Sequence, residues 1–261
     1  MLFSLTAIST YNKSFVSMMV STSCTRVAVF ILLLLGICAG CKTDNCDEFG
    51  EITEFEQQSI DFFEEIVMTD EDNDTFTERP LRRWVEPMKI YLASDLPPFL
   101  DSALVHVVDT LNILLQDGGI EIVEEEFDSN AQLYYMTNEE YNSLVHTTKP
   151  IPQTSNGRIR IWWRANVIYR ARIFISSEIP SNDYSVHVLY EEITQGLGPI
   201  TDTHVNSNSI FYEGYPTFPS KPQLFPIDKE LLRNLYSDYV SPGMNTEEVR
   251  EALEEHYLCK D

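Results

Sequence analysis

The sequence from residue 59 to residue 261 predicts an α+β fold: a single domain in which a mixed sheet is covered by helices. Two observations carry this prediction. About 200 residues run on without a repeat or low-complexity break, which is enough chain for one adequate core. Within them, segments of helical apolar spacing are mixed with short runs rich in β-branched and aromatic residues, two of those runs lying side by side in sequence.

The elements are expected in the following order. Ile52, Phe55, Ile60, Phe63 and Val67 recur at helical spacing and predict a first helix. Residues 70–74 are an acidic turn without the glycine and terminal glutamate of an EF-hand, so they are expected to be a solvated loop. Residues 87–92 read as a strand. Pro97 and Pro98 then start a helix carrying Leu104, Val107, Val108, Leu111 and Leu115, and Gly118 and Gly119 follow its end. Residues 120–123 and 131–136 are further strands, and Thr137 or Asn138 starts a short helix with acids in its first turn. After a loop at 150–157, residues 158–163 and 168–176 predict two paired strands. Asp183 is expected to cap the next helix. Residues 199–226 are irregular, with Pro216, Pro219 and Pro222 preventing a long helix, and residues 229–236 and 246–257 read as the last two helices.

The region before residue 41 is different in kind. It has no acidic residue and only two basic ones, Lys13 and Arg26, followed by an apolar run at 27–38 broken only by Gly36. A run of about 12 apolar residues fits a signal-peptide core and falls short of the roughly 20 that span a membrane. Ala39-Gly40-Cys41 resembles a bacterial lipobox, although Cys38 stands where an aliphatic residue is usual. That resemblance implies cleavage after residue 40, acylation of the Cys41 thiol and, with Lys42 next, an outer-membrane anchor facing the periplasm. An ordinary cleaved signal is the alternative, and Met18 or Met19 competes with Met1 as the start. Residues 41–58 are then the acylated cysteine and a polar tether. Cys46 and Cys259 stand near opposite ends of the remaining chain. A bridge between them is reasonable in an oxidising compartment, as are two separate thiols.

Charge excludes several functions. The chain carries 18 basic and 41 acidic residues, a net charge of −23. Without Lys13 and Arg26 the balance becomes −25, and such a surface repels phosphate backbones and acidic headgroups. Nucleic acid is therefore not an expected partner, and a lipid anchor would have to hold the domain at the membrane. No glycine-rich phosphate loop is present, so no nucleotide is expected, and no serine sits in a G-x-S-x-G elbow. Trp162 and Trp163 are adjacent on a strand, point to opposite sides and cannot form one sugar platform. His106, His146 and His256 read as ordinary helix histidines.

The segment at 186–198 carries the most chemical information. Val186, Leu189, Ile193 and Leu197 form an apolar helical stripe, with His187, Glu191 and Gln195 forming a polar one beside it. Glu192 lies about 100° around from Glu191, and Gly196 and Gly198 stop the helix before Pro199. This is the spacing of H-E-x-x-H-x-x-G, two zinc-binding histidines one turn apart beside a glutamate, with Glu191 and Gln195 standing where the histidines would be. Asp202 and His204 follow at the distance of a third ligand.

His187, Glu191-Glu192, Gln195, Leu197-Gly198-Pro199 and Asp202, then Asn208-Ser209-Ile210-Phe211, then Asp228, Leu232-Arg233, Leu235-Tyr236 and Pro242-Gly243-Met244 occur in an order that resembles the bacterial domain of unknown function 2927 family. The match runs from about 158 to 253, and more weakly from Trp84. Thr201 stands where related sequences tend to have Asn, and Glu213 where they have Asp. The resemblance implies a zincin-like fold with Met244 in the position of the methionine turn beneath a metzincin zinc. It supplies no reaction.

Three readings of the helix remain. In one, Glu191, Glu192 and Gln195 are a buried polar network in a non-catalytic protein that binds a peptide, a partner protein or cell-wall material. In the second, Glu192 is the general base of a metal-dependent hydrolase, and His187, Glu191, Asp202 and His204 hold zinc or a similar divalent ion. In the third, the polar stripe is a solvated helix face.

Overall fold

The computed structural model describes residues 50–72, 75–115, 118–145, 150–213 and 223–259. The helices among them are α1 (Glu54–Val67), α2 (Pro98–Asn112), α3 (Asn138–Val145), α4 (Asn182–Gly196), α5 (Pro226–Leu235) and α6 (Thr246–Leu258). The strands are β1 (Thr69–Asp72), β2 (Thr75–Glu78), β3 (Met88–Leu92), β4 (Ile120–Val123), β5 (Ala131–Met136), β6 (Gly157–Arg164) and β7 (Val167–Ser176). The five strands β3–β7 make one mixed sheet in the order β4-β3-β5-β7-β6, parallel except for the β6–β7 hairpin. The α+β expectation holds. Cys41, Cys46 and His146 lie outside the described residues.

Alternation along the strands decides which face is covered. Ile161, Ala171, Ile173 and Ile175 are buried on the side where α4 packs, and α2 packs against α4 in the same layer. Phe174 points to the opposite side, where Tyr141 of α3 stacks on it at a ring separation of 4.3 Å beside Tyr134 and Ile151. The helix α1 buries Ile60, Phe62, Phe63, Ile66 and Val67 and packs against α5 and α6. Each such side chain is worth about 1.5–3 kcal/mol of burial. A capping box between Thr53 and Glu56 fixes its start. Helix α1 therefore begins inside the stretch expected to be tether.

Two local expectations are corrected. The acidic stretch after α1 is a β-hairpin with Asp70 opposite Thr77 and Asp72 opposite Thr75. Asp70 is held by Arg79 and Arg82, each at 3.3 Å, and this charge pairing replaces the apolar alternation that would have marked the strand. The cap of α4 is Ser181, whose hydroxyl accepts from the Tyr184 amide; Asp183 lies in the first turn, where its charge suits the helix dipole. Among the described residues no helix is long and apolar enough to cross a membrane.

Candidate functional site

The polar stripe of α4 opens into a cleft of about 400 Å³, lined on the helix side by Tyr184, His187, Val188, Glu191, Glu192 and Gln195. Only 6 % of Glu192 and 4 % of His187 is exposed, so this is not a solvated helix face.

Both flanking walls are tied down by buried side chains. One wall is residues 154–157. Asn138 donates through Nδ2 to the carbonyls of Pro152 (2.8 Å) and Ser155 (2.9 Å) and accepts from Ser176 Oγ at 2.6 Å. Asn156 then donates to the Tyr184 hydroxyl at 2.6 Å, joining this wall to α4. The other wall is Asp202, Tyr212 and Glu213. Its backbone is pinned by Asp228, fully buried, which accepts from Ser209 Oγ (2.7 Å) and from the amides of Ile210 (3.0 Å) and Phe225 (2.8 Å). Burial pushes the Asp228 carboxyl up to about 6 despite those three donors.

The glycine turn after α4 leads the chain from Gln195 to Asp202, both of which line the cleft. Three successive carbonyls are each taken by a side chain from another segment: Gly196 by Trp84 Nε1 (2.8 Å), Leu197 by the Tyr236 hydroxyl (2.8 Å) and Gly198 by Arg79 Nη2 (2.7 Å). The Gly196 and Leu197 carbonyls are among the acceptors that the end of the helix leaves without partners, and here each has one. Gly198 has a φ of +140°, and a Cβ there would lie 2.6 Å from the Arg82 carbonyl, so only glycine fits.

Inside the cleft the carboxyls crowd one another. Burial, then Glu191 and Asp202, hold Glu192 well above the usual carboxyl range, with Arg158 acting the other way. Burial, then Asp202 and Glu213, do the same to Glu191. His187 is pushed by burial down to about 4. Its Nε2 lies 3.8 Å from Glu191 Oε2, close enough for an ion pair, yet burial favours the neutral form of both partners. We read the contact as neutral. Gln195 Nε2 donates to Asp202 Oδ1 at 2.6 Å. Glu192 Oε2 is buried and accepts no hydrogen bond. Its carboxyl packs close against Gly157, where a Cβ would sit 2.3 Å from Oε1 and 2.5 Å from Val188 Cγ1.

The expected site residues thus divide. His187, Glu191, Glu192, Gln195 and Asp202 converge on one cleft. His204 does not line it; its side chain is 61 % exposed and faces Glu213 at 3.7 Å. Met244 does not line it either, because its turn pairs through the backbone with Leu81. Among the described residues no group of three or more His, Cys, Asp and Glu is placed to hold a metal ion, and His204 is not brought together with His187, Glu191 and Asp202. Gly157, Asn156, Tyr212 and Glu213 are cleft residues that the helix spacing gave no sign of, and Tyr184 joins them from the turn of α4 before His187.

The family model for proteins of unknown function DUF2927 matches residues 56–255. The chain belongs to this family. The DUF2927 match begins within α1 and ends within α6, so it takes in every strand named above, both cleft walls and the turn after α4. No curated protein matches the chain.

Cys259, at the end of α6, is disulfide-bonded. Close by, the Gly50 amide donates to the Leu258 carbonyl at 3.0 Å, so the two ends of the described chain meet there.

Proposed function

We propose that this DUF2927 protein is a lipid-anchored protein of the bacterial cell envelope whose cleft binds a cationic group on an extended ligand: a basic peptide, a partner segment or a cell-wall strand. One observation carries the reading. Glu192 is buried with Oε2 unbonded, beside Glu191 and Asp202, which is the environment an arriving ammonium or guanidinium would relieve. The cleft also opens beside Gly157, where β6 begins at the edge of the sheet, which leaves room for a ligand longer than the cation itself. The zincin-like scaffold implied by the sequence resemblance is kept in this reading as a shape for holding a peptide. Anchoring through Cys41, facing the periplasm from the outer membrane, is supported by the apolar run and the Ala39-Gly40-Cys41 sequence, and a Cys46–Cys259 bridge by the meeting of Gly50 with Leu258.

Calorimetric titration of the chain with a short oligolysine, an oligoglutamate of equal length and zinc tests the proposal. Oligolysine is expected to bind, Glu192→Gln to weaken it about tenfold, a loss of one charged partner, and oligoglutamate to give no heat. Oligolysine binding that Glu192→Gln leaves unchanged would overturn the reading. So would stoichiometric zinc uptake with a hydrolytic activity lost in Glu192→Gln, which would establish the metal-dependent hydrolase instead.

A further inference from the structure

The face of the sheet turned away from α4 carries a second chemical pattern. Arg158, Arg160 and Trp162 alternate along β6 with the inward Ile159 and Ile161, and the register sets Arg160 opposite Arg172 and Trp162 opposite Arg170. The guanidinium carbons of Arg160, Arg170 and Arg172 lie 4.8, 5.1 and 5.6 Å from the centre of the Trp162 ring. Among the described residues none of these three arginines, nor Arg158, forms an ion pair. Arg172 Nε is buried without a hydrogen-bond partner.

Like charges directly opposite one another on a sheet are destabilising. In a chain with 41 acidic and 18 basic residues, a carboxylate near each guanidinium would be the ordinary arrangement. Arginines on an edge strand do discourage strand-to-strand association, which accounts for Arg158 and Arg160. It does not account for Arg170 and Arg172, because β7 lies between β5 and β6. Beside Arg170 is a hollow of about 230 Å³ lined also by Ser129, Asn130, Gln132, Tyr169 and Glu126. Its one carboxylate, on Glu126, accepts from Gln132 Nε2 at 2.8 Å.

We infer that Arg160, Arg170 and Arg172 around Trp162 form a binding site for a small, soluble ligand bearing two or more phosphate charges. Three planar donor forks on one aromatic ring suit a compact multivalent anion, since guanidiniums pair with phosphate oxygens two bonds at a time. The occupant is small and soluble because an extended anionic surface would meet the field of the whole chain, −23, whereas a small ligand is governed by the nearby arginines once it lies within a Debye length, about 8 Å. The site is separate from the cleft, and its success or failure does not bear on the cation-binding reading.

Inorganic pyrophosphate is the probe, titrated into the full chain held in neutral detergent. Trp162 is one of only three tryptophans and reports on the site directly. A saturable heat accompanied by a change in tryptophan fluorescence is expected. Arg160→Gln and Arg170→Gln, both at exposed positions, should each weaken binding about tenfold, and Arg233→Gln on α5 should leave it unchanged. The inference is overturned by the lack of saturable binding, by equal weakening in Arg233→Gln, or by binding confined to detergent micelles containing phosphatidylglycerol. Capture of an acidic peptide in place of pyrophosphate would overturn it as well.

Discussion

Replacing Glu192 with Gln should change how the stability of the protein depends on pH. The Glu192 carboxyl is raised well above its ordinary 4.5, first by burial and then by Glu191 and Asp202. Between 4.5 and the pH at which the folded carboxyl ionises, the native state therefore holds a proton that the unfolded state has released. Stability must then fall as pH rises, by about 1.4 kcal/mol per pH unit for this one group. Above that window the loss is complete and constant. An amide of the same size cannot ionise, so Glu192→Gln removes this slope while leaving a pH-independent offset from the unbonded amide. The measurement is urea unfolding of both proteins at half-unit steps from pH 4.5 to 8. The difference between them, variant minus wild type, should grow as pH rises from 4.5. His187 and Asp228 contribute to both proteins and largely cancel. A difference that stays flat from 4.5 to 8 would refute the account of Glu192 as a buried, protonated and unpaired acid.

Four further outcomes follow from the same geometry. Gly157→Ala should cost about 1–3 kcal/mol through the contacts at 2.3 Å with Glu192 and 2.5 Å with Val188; in a Glu192→Ala background the cost should shrink, and equal melting-temperature losses in both backgrounds would show that Glu192 is not the obstacle. His187 is depressed from 6.5 to about 4 by burial, so its contribution is present above 6.5 and lost as pH falls to 4, about 3 kcal/mol in all; His187→Gln should remove that acid limb from the unfolding curve. Tyr236→Phe leaves the buried Leu197 carbonyl without its 2.8 Å donor and should cost about 1–3 kcal/mol in urea unfolding. Oligolysine affinity should rise by up to tenfold per pH unit until the cleft carboxyls ionise, and its binding heat should differ between buffers of unequal ionisation enthalpy, because binding expels a proton; heats independent of buffer would show that no proton leaves.

The sequence made most of the sheet and helices legible because their signals are local. Strands β3 to β7 all show β-branched or apolar runs, and the spacing of Ile60, Phe63 and Val67 or of Leu104, Val108 and Leu111 can be read without a tertiary contact. The hairpin β1–β2 was not legible, because Thr-Asp-Glu-Asp has no apolar alternation and its stabilising partners, Arg79 and Arg82, lie beyond the second strand. The same distinction runs through the site. Glu191, Glu192, Gln195 and Asp202 declared themselves by spacing along one helix and its turn. Gly157 gave no sign, since nothing near it in sequence says that a carboxyl from α4 will pack close against it. Asn138 read as a helix start, yet its side chain spans from Ser176 to the loop at 152–155. His204 shows the opposite failure: its position in sequence suited a third ligand, and the turn carries its ring outward to Glu213.

The three side chains that grip the turn after α4 reach it across 119, 112 and 39 residues of chain. Contacts of such separation form only after most of the loop between them has been closed, and topologies rich in them fold slowly. No fragment containing α4 alone can hold Gly196, Leu197 and Gly198 in this shape, because Arg79, Trp84 and Tyr236 arrive from both sides of it in the sequence. The turn that leads to Asp202 therefore has its shape only where the hairpin end, the start of the sheet and the end of α5 are all in place.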